Sequence, residues 1–174
     1  MKYTITSLLF FIVFASFSQT RPGDKTQVET TTTVYYLIRH AEKNRSDLSN
    51  KNPDLNTAGI ARAYKWASVF KNISFDAIYS TSYKRTQQTA TPTAEQKNLT
   101  IKEYNPSVLF SEEFKEETLG KTILVVGHSN TTPAFVNAIL GEEKYGQIND
   151  SNNSNLYIIT LVGNKQSVQL LVID

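Results

Sequence analysis

The chain contains no cysteine and only two histidines among its 174 residues. The first absence excludes a disulfide framework and a lipid-modified cysteine, so the fold must hold by its core alone. Charge of one sign is also lacking. A formal net charge of +2 points to neither a nucleic-acid nor a membrane-surface partner, so local charge has to carry the functional argument. No internal repeat is visible, and no run reaches the roughly 20 apolar residues that a spanning helix needs. What remains is ordinary for one globular domain: 40% hydrophobic and 20% charged residues, in a chain too short for two comfortable domains.

The longest apolar stretch is at the start. Met1-Lys2 precedes a mostly apolar run over residues 5–17, diluted by Thr6 and Ser7 and followed by Ser18-Gln19. This reads as a signal peptide over residues 1–18, with a positive n-region, a short h-region and small residues near the cleavage point. The expected location is therefore periplasmic or secreted, with an N-terminal membrane anchor as the alternative and no stable membrane insertion after cleavage. Residues 19–31 are polar and aperiodic, as in a linker, and residues 32–174 are expected to form the domain.

Within the domain, strand-like and helix-like segments alternate. Residues 33–38 are apolar and strand-favouring, and they end in Arg39-His40. A polar loop rich in Asn, Ser and Asp follows over residues 42–54. Asn56 then reads as the N-cap of a helix over 57–71 whose apolar face is Ile60, Ala63, Tyr64, Ala67 and Phe70. A strand over 75–80 precedes a helix from Ser82 or Tyr83 to Lys97, disturbed at Pro92. Residues 100–104 form a short strand and 112–119 a short helix ending near Gly120. The most hydrophobic strand, 122–126, runs into Gly127-His128, and a helix over 132–140 follows. Residues 156–162 and 167–173 form a hairpin turning at Gly163-Asn164. Strands alternating with helices imply a layered α/β domain with a mainly parallel central sheet flanked by helices.

Each histidine ends an apolar strand, and Arg85 sits in the first turn or so of the helix after a third. In open α/β sheets, ligands bind beyond the carboxyl ends of parallel strands. Arg39, His40, Arg85 and His128 are therefore expected at one rim. Such a set suits phosphoryl transfer, where charge spread over three equatorial oxygens is met by guanidinium forks and a neutral histidine serves as nucleophile. His128 is expected to donate a hydrogen bond to a phosphoryl oxygen, and the N–H groups of the helix beginning near Ser82 to add their dipole. A zinc site is disfavoured, because three or four ligands are required and Arg39 would repel a cation beside His40. No metal and no cofactor are expected.

These residues resemble the histidine phosphatase superfamily, the phosphoglycerate mutase-like group. Arg39-His40-Ala41-Glu42 is similar to its Arg-His-Gly or Arg-His-Ala signature, and residues 55–59 loosely match its Leu-Thr-x-x-Gly helix start. Ser80-Thr81-Ser82-Tyr83-Lys84-Arg85-Thr86 resembles the segment carrying the second phosphate-binding arginine. Val126-Gly127-His128-Ser129-Asn130 resembles the segment with the second histidine. The resemblance implies a three-layer α/β/α sandwich in which His40 accepts the phosphoryl group. Arg39, Arg85 and His128 would complete the phosphate pocket, with Lys43 at its rim. Many members also carry an acid that protonates the leaving group, but the Leu-x-Glu pattern is not clear here. Glu112 and Glu113 are the nearest candidates, and Glu103 lies farther upstream. This departure resembles the small protein-phosphohistidine phosphatases of the superfamily, whose substrate has a good leaving group.

The expected function is thus a small exported phosphatase acting on phosphomonoesters or phosphoramidates. Its partner would be a small-molecule phosphoester or a phosphorylated protein side chain. The alternative is a non-catalytic module that binds a phosphoryl ligand on the same fold. The loop at 42–54 and the region 104–119 are expected to set specificity.

Overall fold

The computed structural model describes residues 31–174. The signal-peptide reading at 1–18 and nearly all of the linker at 19–31 lie outside the described residues. Six strands form one sheet: β1 (Thr32–Arg39), β2 (Ala77–Ser80), β3 (Ile101–Glu103), β4 (Thr122–Gly127), β5 (Asn155–Val162) and β6 (Lys165–Val172). Their spatial order is β3-β2-β4-β1-β5-β6. The first four are mutually parallel, and the β5–β6 hairpin closes one side by antiparallel pairing of β5 with β1. Four helices connect them: α1 (Thr57–Val69), α2 (Lys84–Lys97), α3 (Glu112–Thr118) and α4 (Thr131–Leu140).

The period-2 alternation of the central strands divides the core in two. Tyr35, Leu37, Tyr79, Ile123 and Val125 pack with Phe114 of α3 and Phe135 and Ile139 of α4. Ile38, Ile78, Leu124 and Val126 pack on the other face with Trp66 of α1 and with Ala90 and Ala94 of α2. Central strands buried on both faces explain why β1 and β4 read as continuous apolar runs. The result is the three-layer sandwich around a mainly parallel sheet.

Local signals set most boundaries. The Asn56 side chain accepts from the Gly59 N–H at 2.8 Å and starts α1, and Ser111 does the same for α3 through the Phe114 N–H at 3.2 Å. Gly141 ends α4 at φ +70°, a conformation that costs glycine little. Pro92 lies inside α2, which runs through it without a break.

The buried stripe of α1 is rotated from the expected one. Gly59, Ala63, Trp66 and Ala67 are buried, with Trp66 only 1% exposed, whereas Ile60 and Tyr64 are 51% and 63% exposed. Both stripes obey helical spacing; the bulky Trp66 ring, stacked on Phe70 at 5.6 Å, settles which one faces the sheet. Ile60 and Tyr64 instead wall a shallow groove against Thr91 and Pro92 of α2.

Candidate active site

Strand register brings the two histidines together. Ile38 and Arg39 pair with Val126 and Gly127, so His40 and His128 leave adjacent parallel strands at the same edge. The His40 N–H donates to the Gly127 carbonyl at 2.9 Å, and the two imidazole centroids lie 5.4 Å apart. Ser80 pairs with Val126, so the segment after β2 emerges at this rim too and carries Tyr83 and Arg85 to it. Arg39, His40, Lys43, Arg85 and His128 all line one cavity of about 320 Å³. The close approach needs Gly127: a Cβ there would lie 2.7 Å from Thr132 Oγ1 and 2.9 Å from the Tyr104 hydroxyl.

His40 is buried, with Nδ1 2.7 Å from the Ala41 carbonyl oxygen. A carbonyl can only accept, so Nδ1 carries the proton and Nε2 keeps its lone pair. Burial, together with the positive charges of Arg39 and Arg85, pulls the His40 pKa down to about 3 against the opposing pull of the Ala41 bond. Burial and then Arg85, Arg39 and Lys43 pull His128 down to about 4. Both imidazoles are therefore neutral at physiological pH.

These depressed values couple folding to pH. The unfolded chain binds protons at its histidines below about pH 6.5 while the folded chain does not, so stability falls as pH drops through that value. In phosphate-free buffer, denaturant unfolding should show a loss on the order of a few kcal/mol between pH 6.5 and 4. His128→Asn should remove part of that slope. A stability that stays level over this range would contradict neutral buried imidazoles.

The two arginines have different surroundings. Arg39 is 2% exposed, and its Nη1 donates to the carbonyls of Asn149, Asp150 and Asn152 at 2.9–3.0 Å. Its Nη2 meets Asp150 Oδ1 at 2.7 Å. The fork expected to be open for phosphate is thus mostly engaged by the loop before β5. Arg85 is freer: Nη2 lies 3.3 Å from His128 Nδ1, and the guanidinium stacks 4.4 Å from the Tyr83 ring centre. Each arginine keeps a buried Nε–H without a partner among the described residues. Each such buried donor costs about 1–3 kcal/mol while unpaired.

Lys43 sits where this cavity meets a second of about 520 Å³, also lined by Glu42, Arg45, Asn149 and Asp150. The 42–54 loop is therefore a wall of the site. From region 104–119, only Pro106 lines the His40 cavity. Glu112 and Glu113 line neither cavity, and Glu112 pairs with Lys115 on its own helix. Glu103 accepts from Gln87. The carboxylate that does reach the cavity, Asp150, carried no sequence signal. The α2 helix starts at Lys84 with Tyr83 as its N-cap, within a residue of the expected start, but the Lys84 N–H donates to Asn52 Oδ1 at 2.9 Å and so is taken by a loop side chain. Among the described residues, no three His, Asp or Glu side chains converge as a metal site.

Known proteins share the fold. Residues 35–105 match the family model of the histidine phosphatase superfamily (branch 1). A candidate phosphohistidine phosphatase, SixA, from Agrobacterium tumefaciens superposes with a TM-score of 0.59 at 21% identity, covering 80% of this chain and 98% of that one. Residues 35–105 are thus similar to the histidine phosphatase superfamily, and the solved structures share the fold. A phosphoglycerate mutase from Bacillus anthracis has a TM-score of 0.60 at 15% identity, covering 82% of this chain and 93% of its own. A phosphoserine phosphatase variant from Entamoeba histolytica, in complex with phosphoserine, has a TM-score of 0.60 at 15% identity and covers 79% and 95%. At these identities the structural likeness establishes the fold alone. No curated protein matches the sequence closely enough to count as a relative. The histidine phosphatase match spans Arg39, His40, Lys43 and Arg85; His128 and the Asn149–Asn153 loop join them through the fold.

Proposed function

We propose that the protein is a phosphatase that passes a phosphoryl group from substrate to His40 and then to water. The observation that carries this is the lone pair left on His40 Nε2 by the Nδ1–Ala41 bond, in a cavity shared with two arginines and a second imidazole. In the first step Nε2 attacks phosphorus, and the bond to the leaving group breaks with its electron pair. In the second, water attacks the phosphohistidine, the P–N bond breaks and phosphate departs. Throughout, the cationic cavity binds the equatorial oxygens. Read with residues 1–18 as an export segment, the protein acts outside the cytoplasm.

The leaving group is where this site is bare. Two carboxylates line the joined cavities: Glu42, whose Oε1 accepts from Arg62 at 2.8 Å, and Asp150. Partial burial would raise the Asp150 pKa, but hydrogen bonds and charge from Arg39 and Arg45 outweigh that and hold it below its ordinary value. An acid held ionised donates no proton. The chemistry therefore favours groups that need no acid from the protein, such as a phosphoramidate nitrogen basic enough to take its proton from solvent before it departs, or an aryl oxygen that leaves as phenolate, on a small molecule or a phosphorylated protein side chain. Compared on the purified chain, phosphoramidate or phosphohistidine peptide should be turned over about 10²–10⁴ faster than a simple alkyl phosphate, the usual worth of a general acid. Equal rates would show that an acid operates. Tight phosphate binding without turnover of any of these compounds would instead favour the non-catalytic module, a reading that the same bare leaving-group side supports.

A further inference from the structure

The surroundings of His128 determine which of its nitrogens holds the proton. Nε2 lies 2.9 Å from Thr81 Oγ1, and Thr81 Oγ1 lies 2.9 Å from Thr86 Oγ1. Thr86 Oγ1 in turn lies 2.7 Å from the Tyr83 carbonyl and 3.0 Å from the Thr81 carbonyl. Carbonyls only accept, so the single hydrogen of Thr86 goes to one of them and its oxygen accepts from Thr81. That uses the hydrogen of Thr81, whose oxygen must then accept from His128 Nε2–H. At the other side of the ring, Nδ1 meets Arg85 Nη2, a group with donors only. Both constraints give the same tautomer. Thr81 and Thr86 are buried, so solvent does not compete with the chain.

We infer that the Thr81–Thr86 hydroxyl relay fixes His128 as its Nε2–H tautomer, so that a phosphoryl group binds together with one proton that settles on Nδ1. This rests on the phosphoryl-binding reading of the cavity. An unprotonated Nδ1 opposes a dianion with a lone pair, and the repulsion ends when the proton arrives, either on the monoanion or from solvent. His128 then donates through Nδ1 to the bound anion while Nε2 still donates to Thr81. The charged and titratable neighbours are Arg85 from α2, Tyr83 from the turn before it, Arg39 and His40 from the end of β1, Lys43 beyond it, and Asp150 from the loop before β5. With the cations outnumbering the single carboxylate, the empty cavity disfavours a protonated His128, and an arriving anion reverses that balance. The two histidines of the site thus hold opposite tautomers, His40 bare at Nε2 for attack and His128 bare at Nδ1 for proton uptake. Thr81 is a positioning residue that acts through His128.

The test uses inorganic phosphate and the full chain labelled with ¹⁵N-histidine, whose two imidazoles are read directly by NMR. Without phosphate, His128 should show a protonated Nε2 and a bare Nδ1, and His40 the reverse; with phosphate, His128 Nδ1 should gain a proton. By calorimetry, phosphate affinity should stay level below phosphate's second ionisation and fall about tenfold per pH unit above it. Affinity that rises to neutrality and then stays level would mean a dianion binds without a proton, which overturns the inference. Thr81→Val should weaken the tautomer preference, leaving only the 3.3 Å Arg85 contact to hold it, and alter the pH profile, and Thr81→Ser should restore both; a Thr81→Val protein with unchanged spectrum and profile would overturn the positioning role. Should Thr81→Val fail to fold, an Nδ1–H His128 in the phosphate-free unmodified protein would be decisive against the relay. Absence of any phosphate binding would strike the reading of the cavity instead, while the phosphate-free spectrum still judges the relay.

Discussion

His40→Ala should abolish turnover, with a loss of about 10⁴-fold or more, the scale of removing a covalent nucleophile. Acid-stable labels will not report the intermediate, because a phosphoramidate is lost in acid. The intermediate should be trapped from ³²P-labelled substrate and kept at alkaline pH. Label should reside on the unmodified chain and be absent from the variant. The variant should still fold and bind phosphate, since Arg39, Arg85 and His128 stay in place around the cavity. His40 makes one side-chain hydrogen bond, to its neighbour Ala41, so truncation leaves only a carbonyl to rehydrate. Its depressed pKa further implies that the truncated protein loses part of its acid sensitivity. Label on a residue other than His40, or full turnover by the variant, would remove His40 from the nucleophile's role.

The position of His40 was legible because two simple patterns coincide. An apolar run broken by Arg-His, and another broken by Gly-His, place both imidazoles at strand ends, and parallel pairing of β1 with β4 makes those ends neighbours. The helix caps at Asn56 and Ser111 were equally local and equally readable. The second wall of the site was not. Its residues, Asn149 to Asn153, have no periodicity, and their geometry comes from side chains that fold back on the loop. Asn149 Oδ1 accepts from the Ser151 N–H and hydroxyl, and Asn152 Oδ1 accepts from the Ser154 N–H. Such turns direct three backbone carbonyls at Arg39. Backbone acceptors leave no mark in residue type, so Arg39 reads as a free phosphate fork when much of it is an anchor. The misplaced stripe of α1 has a different cause. Ile60 and Tyr64 satisfy the helical period as well as Trp66 does, and only the volume of the neighbouring layer decides between them.

That anchoring role separates the two arginines, and paired substitutions should expose it. Arg85→Ala should cut turnover strongly while leaving the unfolding midpoint nearly unchanged, because its contacts are an edge contact to His128, a stack on Tyr83 and a long bond to the Lys51 carbonyl. Arg39→Ala should lose turnover and stability together. It strands three carbonyls and the Asp150 carboxylate in a place where Arg39 itself is almost wholly buried. Hydrogen bonds to a charged group that are left half-made cost about 1.5–3 kcal/mol each, but Asp150 is 63% exposed and water can reach it. A net loss of about 3 kcal/mol is the reasonable scale, or roughly 10 °C in midpoint for a chain of this size. Arg39→Lys should recover little, since an ammonium cannot span Nη1 and Nη2 acceptors at once. The loop then loosens, Asp150 and Asn153 lose their position, and the Asn153 bond to the His40 carbonyl goes with them. Denaturant titration and phosphate affinity measured on both variants give the comparison. Equal stability for the two would mean that the Asn149–Asn152 loop holds itself without Arg39. An Arg85→Ala protein as unstable as Arg39→Ala would show that Arg85, too, is structural.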